Sequence, residues 1–100
     1  MTTTNDYLNS LPDWSIGTAS AAAKSVGIDL GPEHMVILKV ARQFFNDYGF
    51  SPSMRPLCKN LTVSLGVDKG RSLYLNQLFP GSPARQIALI AGLPKPKNCL

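Results

Sequence analysis

The clearest pattern in the chain is a helical periodicity between Pro32 and Gly49. Apolar residues recur there at intervals of three and four, at Ile37, Val40, Ala41, Phe44 and Tyr48. This spacing puts them on one face of an α-helix. Pro32 suits the first turn of a helix, and Gly49 can end one by adopting a positive φ. The pattern therefore predicts a long amphipathic helix in this segment.

Four further helices are predicted from caps and helix breakers. An alanine-rich stretch over 14–26 follows Asp13, which we predict as its N-cap. Ser53 is predicted to begin a third helix that runs through Leu65, and "VDKG" after it is predicted as a loop. The last two helices are expected at 71–79 and at 83–91. Five short helices with short connections predict a mainly α fold, a compact bundle with orthogonal packing.

The end of the chain is predicted to leave this bundle. Gly92 terminates the last helix, and Pro94 and Pro96 both lack the backbone N–H that a helix needs. We therefore divide the chain into a helical domain over 1–92 and a C-terminal arm over 93–100. A polyproline-like path of about 3.1 Å per residue would carry Cys99 about 20 Å from Gly92.

Composition narrows the class of protein. The 100 residues suit one domain, and there is no run of about 18 apolar residues that would predict a membrane span. The first ten residues are polar and do not resemble a signal peptide, so we expect a cytoplasmic protein. Its two cysteines are then predicted to be free thiols. The net charge of +4 favours acidic partners or nucleic acid.

The two cysteines have different predicted roles. Cys99 lies near Lys95 and Lys97, whose charges favour the thiolate, so it is a candidate nucleophile or sulfur carrier. Cys58 lies beside Leu57 in an apolar helical stretch, and we predict that it fills the core.

Other catalytic chemistry is not indicated. His34 is the single histidine, it falls in the first turn of a helix, and the carboxylates lie mostly in caps and loops. The chain shows no phosphate-binding glycine loop and no metal-ligand spacing, so we predict neither a metal nor another cofactor. Trp14 is expected to anchor the core.

Duplex DNA binding is an alternative of another class. Two helices flank "VDKG", and the cations nearby would suit a helix-turn-helix unit; they are Arg55, Lys59, Lys69 and Arg71. The fourth helix, however, offers little besides Arg71, Asn76 and Gln77 to contact base edges.

Two segments resemble a known family. "SPSMRPLCKNL" and "YLNQLFPGSPARQIALIAGLPKPKNC" are similar to signatures of the DsrC/TusE family, which includes the gamma protein of dissimilatory sulfite reductase and a carrier of the tRNA-thiolation sulfur relay. The resemblance runs from about Asp6 to Leu100. The departures are Asn76 in place of a usual tyrosine, Ser82 in place of glycine, and Asn98 before the cysteine.

The resemblance implies a fold and a site. The fold would be mostly helical with a small N-terminal β-hairpin, one strand of which would be missing because the beginning is short, and a mobile C-terminal arm. From its own residues, "DYLN" is a candidate for a short strand. Cys99 would carry sulfur as a persulfide or trisulfide and would be inserted into partner proteins. Side chains expected to bind partners or stabilise the anionic persulfide are Arg55, Arg85, Lys95 and Lys97. The arm would be formed by Gly92, Leu93, Pro94, Pro96 and the residues after them, and its prolines would lower the entropy lost on insertion.

Ala88 decides the branch of the family. Members that serve sulfite reductase carry a second arm cysteine at this position. A single arm cysteine resembles the pattern of the TusE-like branch, and also that of less characterised single-cysteine relatives. The implied function is a sulfur carrier in tRNA 2-thiouridine synthesis. Its donor would be a small cysteine-bearing relay complex and its acceptor a thiouridylase with tRNA. A sulfite reductase-associated or regulatory role is the first alternative, and the resemblance leaves open whether the carrier counts as an enzyme.

Overall fold

The computed structural model describes residues 7–96, which fold into five α-helices. These are α1 (Ile16–Ser25), α2 (Pro32–Tyr48), α3 (Met54–Leu65), α4 (Ser72–Leu78) and α5 (Pro83–Ile90). Two 3₁₀ helices lie at Tyr7–Ser10 and Val67–Gly70, and no strand occurs within residues 7–96. The mainly helical fold is confirmed, whereas Lys97, Cys99 and the residues before Tyr7 lie outside the described residues.

The start of α1 differs from the prediction. Ser15 is the N-cap in place of Asp13, because Ser15 and Thr18 form a reciprocal capping box. The Thr18 N–H donates to Ser15 Oγ at 3.2 Å, and the Ser15 N–H donates to Thr18 Oγ1 at 2.9 Å. Trp14 consequently lies before the helix.

Two other local predictions were wrong. The "DYLN" segment does not form a strand from Tyr7 onward, because the Leu11 N–H donates to Leu8 O at 3.0 Å and closes a 3₁₀ turn. The Leu8 N–H donates to Asn46 Oδ1 on α2 at 3.2 Å, which holds that turn against the helix. The "VDKG" segment, predicted as a loop, is also a 3₁₀ helix, and Gly70 in it is buried.

The core forms around α5, which contacts each of the other four α-helices. The small side chains Ala19 and Ala23 of α1 are buried, and α1 packs against α5. The largest fully buried side chains are Phe79, Ile37, Leu38, Leu57, Leu61, Leu75, Ile87 and Ile90. The Cα radius of gyration, 12.8 Å, is close to the value of about 13 Å expected for one compact domain of this length.

His34 ties α2 to the end of α4. Its Nδ1 accepts the Gly31 N–H at 3.0 Å, so Nε2 carries the proton and donates to Leu78 O at 3.0 Å. The ring also packs edge-on against Phe79, with centroids 5.1 Å apart. Both ring nitrogens therefore serve the fold.

Within residues 7–96, no helix combines the length and the apolar character that crossing a bilayer requires.

Candidate functional site at the base of the C-terminal arm

The chain turns sharply where α5 ends, at a Schellman motif. The Leu93 N–H donates to Ala88 O at 2.8 Å and the Gly92 N–H donates to Leu89 O at 3.3 Å. Gly92 has φ +72°, a conformation that favours glycine. Leu93 then buries its side chain in the core. The first residue after the glycine is thus part of the folded body.

Two side chains hold the backbone at this turn. Trp14 Nε1–H donates to Ile90 O at 2.8 Å, and Arg42 Nη1–H donates to Ala91 O at 2.5 Å. The Arg42 guanidinium also lies 4.5 Å from the centre of the Trp14 ring, a cation–π contact. A Cβ at Gly92 would lie only 3.0 Å from Trp14 Cδ1, so the indole packs directly on the glycine backbone.

A third side chain holds the next part of the segment. The buried Ser51 donates from Oγ to Pro94 O. Further along the segment, Lys95 is exposed and Pro96 is buried. We call Trp14, Arg42 and Ser51 the arm clamp, since together they hold the backbone between residues 90 and 94.

The clamp carries one positive charge in a partly buried position. Burial lowers the pKa of Arg42 below its ordinary value. Arginine nevertheless stays protonated in proteins, so the charge persists against the indole face and the Ala91 carbonyl.

The site residues predicted from the sequence are not the residues that form the arm clamp. Arg55 lies in the first turn of α3 and Arg85 in the first turn of α5, and both are exposed. The side chains that bond to the carbonyls of 90–94 are those of the clamp. The roles of Arg55, Arg85 and Lys95 stay predictions, and Lys97 and Cys99 fall outside the described residues.

Cys58 packs against the core, as predicted. Burial raises the pKa of its thiol above the ordinary value of 9.0, which disfavours the reactive thiolate. Ala88 is buried inside α5.

Sequence reasoning missed two members of the clamp. The half-buried Arg42 follows the buried Ala41 on α2, and a cation next to the apolar face was the available signal. Ser51 carries no comparable signal, because its partner Pro94 is 43 residues away. Trp14 was predicted as an anchor, and its bond to Ile90 confirms that role.

The described part of the site can position the backbone at the base of the arm, through the hydrogen bonds of the clamp. Within residues 7–96, no group of three or more histidine, cysteine, aspartate or glutamate side chains could hold a metal ion. The clamp instead holds the backbone between residues 90 and 94, at the base of the predicted arm.

Comparisons with known proteins agree on one family. The family model described as DsrC like protein matches residues 1–100. Sulfurtransferase TusE from Escherichia coli (strain K12) is 41% identical over 99 residues, which cover 99% of this chain and 91% of that protein. The Buchnera aphidicola (subsp. Schizaphis graminum) protein of the same name is 41% identical over 97 residues, 97% of this chain and 85% of that one.

Two solved structures have the same fold. DsrC from Allochromatium vinosum, determined by NMR, superposes with a TM-score of 0.79 at 41% identity and covers 88% of this chain and 79% of that one. The oxidized gamma-subunit of the dissimilatory sulfite reductase from Archaeoglobus fulgidus gives a TM-score of 0.74 at 36% identity, over 87% of this chain and 80% of that one. With a match along the whole sequence, close relatives and a shared fold, this chain belongs to the DsrC-like family.

Proposed function

We propose that this protein is a sulfur carrier of the TusE type, acting in the cytoplasm, and that Cys99 carries the sulfur as a persulfide. The observation that supports it most is the anchoring of the backbone up to Pro94 by the arm clamp, with Pro96 still buried. This arrangement holds the described base of the arm, up to Pro96, against the body. The curated TusE relatives favour a sulfur-relay carrier over the alternatives.

The proposed transfer needs no oxidant or reductant. The Cys99 thiolate attacks the terminal sulfur of a donor persulfide, R–S–SH, which gives Cys99–S–SH and releases R–S⁻. An acceptor thiolate then attacks the terminal sulfur on Cys99, and the Cys99 thiolate leaves. The sulfur atom moves twice, and the count of electrons on donor and acceptor balances.

The anchored base sets the reach of the carrier. Cys99 lies three residues after Pro96, so it extends at most about 10 Å beyond that proline. The reach of about 20 Å that the sequence suggested is measured from Gly92. It therefore includes residues up to Pro94, which the clamp holds against the body. Donor and acceptor must therefore come close to the base of the arm.

The proposed partners are those that the resemblance to the TusE-like branch implies. We propose that the donor is a small cysteine-bearing relay complex and that the acceptor is a tRNA 2-thiouridylase with bound tRNA. Lys95 and Lys97 next to the thiol would steer it toward an acidic cleft. Arg55 and Arg85 remain candidates for docking a partner.

A role with sulfite reductase is the second candidate, because the structural neighbours include the gamma-subunit of that enzyme. Ala88 argues against it, since its methyl group cannot form the disulfide with Cys99 that a second arm cysteine would allow.

The test is the intact mass of the protein after incubation with a cysteine desulfurase system that generates persulfides. We expect a gain of about 32 Da, one sulfur atom, that a reductant reverses. Cys58→Ser should keep the adduct and Cys99→Ser should lose it. An adduct that persists in Cys99→Ser would overturn the proposal.

A further inference from the structure

Three aromatic side chains form a cluster at the surface between α2 and α3. The Phe44 ring lies 4.6 Å from that of Tyr48 and 5.4 Å from that of Phe50, measured between centroids. Phe44 is buried, but Tyr48 is 58% exposed and Phe50 48% exposed. The apolar face of α2 therefore continues out of the core and onto the surface.

The neighbouring face of α3 combines charge with an exposed apolar side chain. Arg55, Lys59 and Val63 are four residues apart, so they follow one another along one side of the helix. Val63 is 82% exposed, the highest value among the large apolar side chains of residues 7–96. Lys59 and Val63 line a depression together with the aromatic cluster. We call this surface, formed by Phe44, Tyr48, Phe50, Lys59 and Val63, the α2–α3 groove.

The groove adjoins the arm clamp. Phe50 is the residue before Ser51, whose hydroxyl donates to Pro94 O. The exposed aromatic surface therefore begins one residue from the point at which the arm is held. Because Cys99 can extend at most about 10 Å beyond Pro96, a partner that takes its sulfur must lie near the base of the arm.

We propose that the α2–α3 groove is the docking surface for the protein that receives sulfur from Cys99, and that this acceptor inserts an apolar side chain flanked by carboxylates. The inference rests on the proposed function and adds the place and chemistry of docking. An apolar side chain would remove Tyr48, Phe50 and Val63 from water.

Charge supports an acidic partner. Lys59 lines the groove, and the exposed Arg55 lies one turn before it on the same side of α3. Lys39 and Asp47 line the neighbouring depression, where Asp47 accepts a hydrogen bond from Gln43 Nε2 at 2.9 Å. Carboxylates on the acceptor would accelerate the encounter and set its orientation. The same charges disfavour a second copy of this basic chain.

The ring geometry favours a protein side chain over nucleotide bases. Phe44 and Phe50 meet at 86°, and Tyr48 is inclined at 47° to both. Rings at these angles wall a depression, whereas successive bases stack on open ring faces.

The experiment measures binding of the full chain to a purified tRNA 2-thiouridylase with its tRNA, in a Cys99→Ser background that prevents covalent exchange. Tyr48→Ser, Val63→Glu and Lys59→Glu alter the groove. Matched controls on other elements are Leu73→Ser and Ile16→Glu, each 68% exposed, and Lys69→Glu. Thermal unfolding verifies that every variant is folded.

We expect each groove variant to weaken binding at least tenfold and each control to change it less than twofold. Equal effects in the two sets, or none in the groove set, would overturn the proposal, as would failure of the parent chain to bind the acceptor. Weaker binding of the groove variants to free tRNA would also overturn it in favour of nucleic acid. Self-association of the parent chain in sedimentation, lost in Val63→Glu, would overturn it in favour of a second copy.

A separate experiment tests the proposed function. The parent chain and the groove variants, all with Cys99 intact, are incubated with a small-molecule persulfide, and the sulfur loaded on each is measured. If all of them load but bind the acceptor normally, the docking proposal fails and the carrier function stands. If none loads, including the parent, the carrier function fails.

Discussion

At the residue scale, the two cysteines show how surroundings decide the use of one functional group. Cys58 lies on α3 against the core, and burial raises the pKa of its thiol. Cys99 has Lys95 and Lys97 as near neighbours in the sequence, and positive charges favour a thiolate. The more reactive sulfur is therefore expected near the end of the chain.

We predict that iodoacetamide alkylates Cys99 at least ten times faster than Cys58 in the native protein near pH 8. The thiolate is the reacting species, and a raised pKa lowers its fraction at Cys58. The Cys58 rate should also continue to rise above pH 9.0, where that of an ordinary thiol begins to level off. Peptide mass spectrometry at timed intervals measures both rates.

The control is the same reaction in concentrated urea, in which the two rates should converge. Equal rates in the native protein would contradict the assignment of Cys58 to the core.

At the scale of elements, the 3₁₀ helix at Val67–Gly70 packs unusually close to α3. A Cβ added to Gly70 would lie 1.8 Å from Thr62 Oγ1 and 2.8 Å from Cys58 O. The Thr62 hydroxyl already donates to that carbonyl at 2.9 Å, so it has little freedom to move away. A glycine is required here for lack of space.

We predict that Gly70→Ala lowers the free energy of unfolding by about 2 kcal/mol, because the methyl group must displace backbone as well as a side chain. Gly17→Ala in α1 serves as the matched control. Its Cβ would meet Ser15 Oγ at 3.5 Å, an ordinary contact, so it should stabilise the protein by about 0.5 kcal/mol. Urea unfolding measures both, and a Gly70→Ala variant as stable as the parent would refute the close approach.

At the scale of the whole molecule, the arm clamp joins distant parts of the chain to its C-terminal segment. Trp14 bonds to a carbonyl 76 residues away, Arg42 to one 49 residues away and Ser51 to one 43 residues away. The position of the arm thus depends on the folding of the whole domain.

We predict that Ser51→Ala loosens the base of the arm while the body stays folded. Loss of one hydrogen bond should lower the free energy of unfolding by about 1 kcal/mol. The Leu93 amide, just before Pro94, should then exchange its hydrogen several times faster by NMR. Ser53→Ala should leave that exchange rate unchanged, because Ser53 makes no side-chain capping bond. Unchanged exchange in Ser51→Ala would show that Trp14 and Arg42 hold the segment without it.

The sequence by itself determined the features that depend on residues close together in the chain, namely the helix boundaries and the family motifs. Periodicity and the stop at Gly49 predicted α2, and Ser53 with Gly66 bounded α3. These signals are readable because helix hydrogen bonds and caps join residues no more than a few positions apart. The family was also readable from the sequence, because the motifs at the end of the chain are contiguous.

Only the tertiary structure decided the features that join distant residues. Asn46 holds the Tyr7–Ser10 turn from 38 positions away, in a segment whose local pattern suggested a strand. Tyr48 matched the apolar period of α2, but its side chain is 58% exposed in the folded domain. Arg42 and Ser51 acquire their partners only when α5 packs against α2, because a hydrogen bond between residues more than 40 positions apart requires the fold to bring its two atoms together.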